Sequence, residues 1–326
     1  TLAEFLLDRH VKAGRGDNVA ILCGDQTTTF NELLAMANKF ANVLKTLGVG
    51  APDRVGIRMT NTPEAVAINF GIQKLGAIPV PVSPLWAKEE VAFTLNNAEF
   101  SAFAVSIALL AAVDEGKHEF QFPTKIIVVG GKPEDAEAKG YYSFAKLMAA
   151  ASDQFTNVML APKDIGVILY TSGTTGFPKG AQHVHYSIIA QYLTAKWVLD
   201  LRPDDIYWCN ADPGWVTGTS YGIIGPWSNG ITQVVLDSGF SAERWYRFLE
   251  KHGVTVWYSA PTAIRLLMKE GKELVRKHDL SKLRHLCSVG EPLNAEAVIW
   301  SQEVFGKPFH DTFWQTETGC IVITNF

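Results

Sequence analysis

Residues 170–180 read YTSGTTGFPKG: hydroxyl side chains at Thr171, Ser172, Thr174 and Thr175, glycines at 173, 176 and 180, a proline, and one cation, Lys179. Backbone N–H groups of such a loop can converge on an anion, because glycine tolerates positive φ and lets the chain approach closely. Ser172, Thr174 and Thr175 add hydroxyl donors, and Lys179 adds charge. Phosphate oxygens suit this set. A plain surface turn could have the same small residues. The apolar run DIGVILY before it, and a lysine set after a proline-fixed turn, favour the anion site.

Other phosphate and catalytic loops are excluded by spacing. A Walker A loop ends in Gly-Lys-Ser/Thr, whereas Lys179 follows Pro178. There is no GxGxxG here and no GxSxG, so neither a dinucleotide fold nor a hydrolase nucleophile elbow is indicated. His183 and His185 stand at i, i+2 in HVH, but no third ligand is near in sequence; a place at the start of a helix suits them better than a metal pair. The cysteines, Cys23, Cys209, Cys287 and Cys320, form no CxxC pair and read as reduced, mostly buried thiols of a cytoplasmic protein.

The chain that must position this loop has 326 residues, enough for two lobes or one large α/β unit. With 29 basic against 33 acidic residues, its net charge of −4 gives no electrostatic footprint for nucleic acid. The apolar run IALLAAV at 107–113 falls well short of the ~20 residues a membrane span needs, and the first ten residues lack the features of a signal peptide.

Helix and strand patterns alternate. TTFNELLAMANKFANVLKTLG carries a capping box, Thr29 with Glu32, apolar residues at helical spacing, and Gly48 as the stop. DRVGIRM alternates as a half-buried strand. A helix follows from Pro63, then the strand AIPVPV. KIIVVGG, DIGVILY, TQVVL, VTVWYS and RHLCSVG read as buried strands, with helices near 185–199, 241–252, 261–270 and 294–305. This order predicts an α/β fold of mostly parallel sheets flanked by helices. A softer stretch at 131–162 places a lobe boundary near Pro162, giving lobes 1–161 and 162–326. The final CIVITNF reads as a strand with no polar tail, more like a cut chain than a natural terminus.

YTSGTTGFPKG resembles the phosphate-binding signature of the adenylate-forming (ANL) enzymes: acyl-CoA synthetases, luciferases and the adenylation domains of peptide synthetases. WCNADPGWVTG (208–218), YSAPTAIRLLM (258–268), SVGEPLN (288–294) and HDTFWQTETG (310–319) follow in the right order and are similar to the acetyl-CoA synthetases and their short-chain relatives. The resemblance implies the large N-terminal AMP-binding domain of that family in two lobes, without the rest of that domain or the small C-terminal domain. It also implies a ligase that turns a carboxylate and ATP into acyl-AMP and pyrophosphate, then moves the acyl group to CoA.

The family's site residues carry over onto matching positions. Thr171, Ser172, Gly173, Thr174, Thr175, Gly176 and Lys179 would hold the β- and γ-phosphates. Gly290, Glu291 and Pro292 would line the adenine. Asp311, Thr312, Phe313, Trp314, Gln315 and Thr316 would line the nucleotide, with Thr312 facing the α-phosphate. Glu317 would help hold Mg²⁺, though a lone glutamate is usually just a solvated acid. Lys179, Thr312 and Glu317 are therefore the implied catalytic set. Trp215, Val216, Thr217, Val289 and Trp314 would line the acid, the Trp314 indole walling the pocket to a short chain. Trp215 and Trp314 could equally be core tryptophans. Phe313 stands where the acetyl-type pattern has tryptophan. The implied small-molecule partners are a carboxylic acid, acetate foremost, with ATP and CoA. A related ligase for propionate or an aromatic acid, and a non-catalytic adenylate-binding module, are the alternatives; no carboxylate in GWVTG favours an amino acid substrate.

Overall fold

The computed structural model describes residues 2–171, 176–237 and 239–325. Numbered along the chain, the strands are β1 (Val19–Cys23), β2 (Gln26–Thr29), β3 (Arg54–Arg58), β4 (Ile78–Pro81), β5 (Phe100–Ser106), β6 (Lys125–Val129), β7 (Tyr142–Ser143), β8 (Ile165–Thr171), β9 (Lys179–Val184), β10 (Ile206–Cys209), β11 (Thr232–Val234), β12 (Val256–Ser259), β13 (His285–Ser288), β14 (Phe309–Phe313) and β15 (Ile323–Thr324). They fall into two compact units. The first comprises Thr1–Asp17, Thr29–Ser187 and Asp212–Trp215; the second comprises Asn18–Thr28, Ile188–Ala211 and Val216–Phe326.

The main division thus lies after Ser187, later than the boundary expected near Pro162. The antiparallel pair β8–β9 decides this. Its Ile168 and Tyr170 are buried in the same cluster as Val80, Phe103 and Val128 of the first unit, so removal of apolar surface from water binds the hairpin there.

The first unit holds a parallel sheet in the order β4-β3-β5-β6-β7. Helix Phe30–Thr46 starts as predicted: the Thr29 hydroxyl accepts the Glu32 N–H at 3.2 Å, and the Glu32 carboxylate accepts the Thr29 N–H at 2.7 Å. Its Phe40 and Leu44, with Ile68 and Ile72 of helix Pro63–Lys74, pack on Val55, Ile57, Ala104 and Ile127. The alternate residues Phe103, Val105 and Val128 pack with Val91 and Leu95 of helix Lys88–Ala98. Both faces are therefore covered. That is why β3 is buried from Val55 to Arg58 instead of half-buried as its alternation predicts. Gly56 is obligatory, since a Cβ there would lie 2.3 Å from the Phe100 ring.

The second unit holds an eight-stranded sheet, β15-β14-β13-β12-β10-β11-β1-β2. Strands β1, β10, β11, β12, β13 and β14 pair in parallel, and β15 lies antiparallel to β14. Alternate residues face opposite cores. Trp208, Trp257, Leu286 and Phe309 meet Trp245, Phe248 and Leu249 of helix Ala242–His252, with Trp208 and Trp257 stacked at 5.5 Å. Tyr207, Cys209, Val256, Tyr258 and Cys287 face the other core. The four cysteines are free thiols, Cys209 and Cys287 buried. Among the described residues no helix is long and apolar enough to cross a membrane.

A polar knot ties the starts of three parallel strands. Asp205, one residue before β10, accepts from the Thr255 hydroxyl (2.6 Å), the Arg202 N–H (2.7 Å) and Arg284 Nε (2.8 Å). Thr255 precedes β12 and Arg284 precedes β13; Arg284 also reaches the Asp200 carboxylate at 2.7 Å. Removing the cation would strand a carboxylate whose side chain is 3% exposed, while Arg284 itself is 24% exposed. Arg284→Met should therefore cost about 3 kcal/mol, the lower edge for breaking a buried pair. Seven of the nine tryptophans lie in this unit, so urea unfolding followed by tryptophan fluorescence reads it directly. A midpoint equal to that of the unsubstituted protein would show the knot to be idle.

Candidate active site

In the second unit, the C-terminal ends of β13 and β14 carry just over half of the predicted site residues. Beyond β13, Gly290 takes φ 103°, a left-handed backbone that side-chain-bearing residues avoid. Gly290, Glu291 and Pro292 are exposed. Glu291 turns its carboxylate back onto helix Pro261–Lys269, where it accepts from the Thr262 hydroxyl and the Arg265 guanidinium. The Thr262 hydroxyl foremost holds that carboxyl below its usual range against the opposing effect of burial, with Arg265 adding to the lowering. Asp311 in β14 accepts from Ser288 Oγ (3.2 Å) and the Leu293 N–H (3.4 Å), tying β14 to the loop that follows β13. The carboxylates of Glu291 and Asp311 thus shape the loop that follows β13.

Val216, Val289 and Trp314, three of the predicted acid-lining residues, meet in one apolar cluster with Cys209, Tyr221, Tyr258 and Ile321. Thr217 is half-buried in the short helix Val216–Thr219. Trp314 is 7% exposed, and its indole N–H donates to the Tyr258 hydroxyl at 3.0 Å. Phe313 points to the other side of β14 and is exposed. Thr312 is buried and donates its hydroxyl proton to the Ser288 carbonyl at 2.8 Å.

The TETG stretch is a tight turn. The Gln315 N–H donates to Thr318 Oγ1 (3.0 Å), and the Gly319 N–H donates to the Gln315 carbonyl (3.0 Å). Buried side chains anchor its far end: Gln191 Nε2 (3.0 Å) and Ser220 Oγ (2.9 Å) both donate to the Gly319 carbonyl, and the Ile321 N–H donates to the Tyr221 hydroxyl (2.7 Å). Gln315 and Glu317 are exposed on the turn, and Thr316 is half-buried. Sequence reasoning missed Gln191, Ser220, Tyr221, Tyr258, Thr262 and Arg265. A glutamine in the otherwise apolar stretch SIIAQYL was the one local sign that a buried polar contact was needed.

In the first unit, the phosphate-type loop closes a hairpin and does not lead into a helix: Thr171, the last residue of β8, lies opposite Lys179, the first of β9. Gly176 takes φ 131°, Phe177 stacks on Phe93 at 4.5 Å, and Lys179 is exposed. Ser172, Gly173, Thr174 and Thr175 lie outside the described residues. Trp215, a candidate core tryptophan, is instead 41% exposed. It closes a turn in which the Asp212 carboxylate accepts the Gly214 N–H at 2.7 Å. Burial pushes the Asp212 carboxyl up to about 6. Gly214 packs so closely on Ser83 that a Cβ would lie 2.6 Å from its Cα. The buried Arg58 fixes that neighbour, donating to the carbonyls of Ser83 (2.5 Å), Pro84 (3.1 Å) and Trp86 (2.7 Å). His183 is buried in β9, and His185 Nδ1 accepts the Leu2 N–H at 3.3 Å. Among the described residues no three His, Cys, Asp or Glu side chains form a metal-binding group. Two clefts of the same unit, of about 460 Å³ beside Lys45 and Phe155 and about 210 Å³ beside Asn97 and Gln182, are lined by none of the predicted site residues.

The sequence pattern described as AMP-binding enzyme matches residues 7–326. An acetyl-coenzyme A synthetase of Bacillus subtilis is 43% identical over 325 residues, covering 98% of this chain and 56% of the relative. That of Rubrobacter xylanophilus is 39% identical over 343 residues, covering 98% and 53%. Among solved structures, a Brucella canis acyl-CoA synthetase superposes with a TM-score of 0.90 at 30% identity, over 99% of this chain and 58% of that one. An anthranilate CoA ligase in complex with anthranoyl-AMP gives 0.91 at 28% identity, over 99% and 61%. The chain spans a little over half the length of these relatives. With the family pattern running through all but its first six residues, the chain belongs to the AMP-binding enzymes, as an acetyl-CoA synthetase-like member.

Proposed function

We propose that these residues belong to an acid–thiol ligase that activates a short-chain carboxylate, acetate foremost, and passes the acyl group to CoA. The observation that carries this reading is the apolar cluster in which Val216, Val289 and Trp314 meet. An acyl pocket bounded by two valines and an indole would accommodate a methyl or ethyl group and offer nothing to a charged substituent.

A carboxylate is a poor electrophile. Its oxygen attacks the α-phosphate of ATP, the bond to the bridging oxygen breaks, and pyrophosphate leaves. The CoA thiol then attacks the acyl carbon, a thioester forms, and AMP leaves. Phosphoryl transfer is mostly positioning and charge stabilisation. In this reading the loop from Thr171 to Lys179 holds the β- and γ-phosphates, and the Lys179 ammonium offsets charge on the departing pyrophosphate. Gly290, Glu291 and Pro292 line the adenine through backbone atoms, since the Glu291 carboxylate is already engaged. Asp311, Thr312, Gln315 and Thr316 border the nucleotide. Glu317 is an exposed carboxylate, and Mg²⁺ is commonly held by one or two carboxylates together with waters and phosphate oxygens. Bound there, the ion would offset phosphate charge.

A ligase for a larger acid is the second reading. It is favoured by Phe313 in place of tryptophan and by the likeness to the anthranilate ligase. The bulk of Trp314 in the cluster opposes it. A nucleotide-binding module without turnover is the alternative of a different class, and acid-dependent pyrophosphate exchange by the natural gene product separates it from both.

Lys179→Ala removes one charge-assisted phosphate contact and should weaken ATP binding by about 1.5–3 kcal/mol, with pyrophosphate exchange slowed in step. Unchanged ATP affinity and exchange would remove the loop from the site. Trp314→Gly opens the apolar cluster. Its kcat/KM profile over acids from acetate to octanoate should peak at a longer chain, each added methylene gaining about 0.8 kcal/mol of binding. The same panel tests the function itself: the unsubstituted protein should favour acetate or propionate, and a peak at hexanoate or octanoate would overturn the short-chain reading.

A further inference from the structure

We propose that Tyr258 is a positioning residue for acid selectivity: its hydroxyl fixes the Trp314 indole as a wall and ties that wall to the strand end carrying Thr312. The inference rests on the reading of Trp314 as the limit of the acyl pocket. Hydrogen counting orders the contacts. The indole N–H can only donate, so the Tyr258 oxygen accepts from it at 3.0 Å. Thr312 has one hydroxyl proton and gives it to the Ser288 carbonyl at 2.8 Å. The 2.7 Å contact between Tyr258 and Thr312 must then run from the phenol to the threonine oxygen. The result is a one-way chain, Trp314 to Tyr258 to Thr312 to the Ser288 carbonyl, in which each bond polarises the next.

The chain is dry. Tyr258 is 1% exposed, Thr312 3% and Trp314 7%. Burial pushes the Tyr258 phenol well above its ordinary value, so its proton stays in place. The reach also requires tyrosine. Tyr258 in β12 pairs with Cys287 in β13, which pairs with His310 in β14, so the phenol must cross one whole strand to meet Thr312 and Trp314. Tyr221 stands edge-on to both rings, at 5.1 Å from Trp314 and 5.7 Å from Tyr258, and blocks one direction of rotation. The hydrogen bond to Tyr258 restrains the other. Without it, a buried indole N–H is left unpaired and the ring turns to find a partner.

Tyr258→Phe keeps the ring and its packing and removes the oxygen alone. In the natural gene product the ratio of kcat/KM for acetate over butanoate should fall about tenfold, the effect of one lost buried hydrogen bond, with KM for ATP unchanged. The Trp314 indole N–H resonance, assigned by its loss in Trp314→Phe, should move upfield and exchange faster with solvent. An unchanged acid ratio in Tyr258→Phe, alongside a shifted profile in Trp314→Gly, would overturn the positioning role and leave the acyl-pocket reading standing. An unchanged profile in both variants would overturn that reading, and the positioning role with it. Should Tyr258→Phe fail to fold, the unsubstituted protein decides: a slowly exchanging Trp314 indole N–H supports the chain, and a rapidly exchanging one overturns it.

Discussion

Parallel pairing is the constraint on which the second unit depends. Strands β10, β12, β13 and β14 run the same way, so their C-terminal ends share one edge. Loops that are far apart in sequence, after Ser259, Ser288 and Phe313, therefore leave the sheet together. Ligands of open parallel sheets bind beyond the carboxyl ends of the strands for this reason. The opposite edge is given over to structure. There Asp205, Thr255 and Arg284 join the starts of three strands, and the register they set is carried to the far end by the ladder.

Polar groups near the strand ends are mostly engaged in shaping backbone. Asp311 holds the loop after β13, Glu291 is clamped by Thr262 and Arg265, and Gln191 with Ser220 fixes the carbonyl of Gly319. Buried polar networks of this kind are costly when incomplete and rigid when satisfied. What they leave facing outward is backbone around Gly290 and the side chains of Gln315 and Glu317. In the proposed reading, a loop that receives a nucleotide without reorganising gains from being held in this way.

The first unit solves a different problem, presenting a glycine-rich loop from a firm base. An antiparallel hairpin anchored in the core by Ile168 and Tyr170 sets both ends of the loop, with Thr171 opposite Lys179. The Phe177–Phe93 stack adds a fixed point inside the loop itself. A hairpin gives the cation a defined starting position without the helix on which a Walker A loop relies.

Local signals were enough for much of this protein. The capping box at Thr29, the helix from Pro63, the apolar runs of β6, β8, β12 and β13, and the strand–helix alternation all depend on neighbours within a few residues, and the sequence by itself determined them. The family was legible for the same reason: its motifs are short, contiguous and in order. Tertiary structure decided the rest. β3 is fully buried because strands and helices distant in sequence cover it, which its alternation could not show. The unit boundary lies after Ser187 because the hairpin finds its apolar partners in the first sheet. Trp215 and Trp314 carry the same side chain, yet the first is exposed and the second lies in an apolar cluster with a hydroxyl partner. That partner, Tyr258, is 56 residues away and two strands across, a proximity created by strand pairing and invisible to any local pattern.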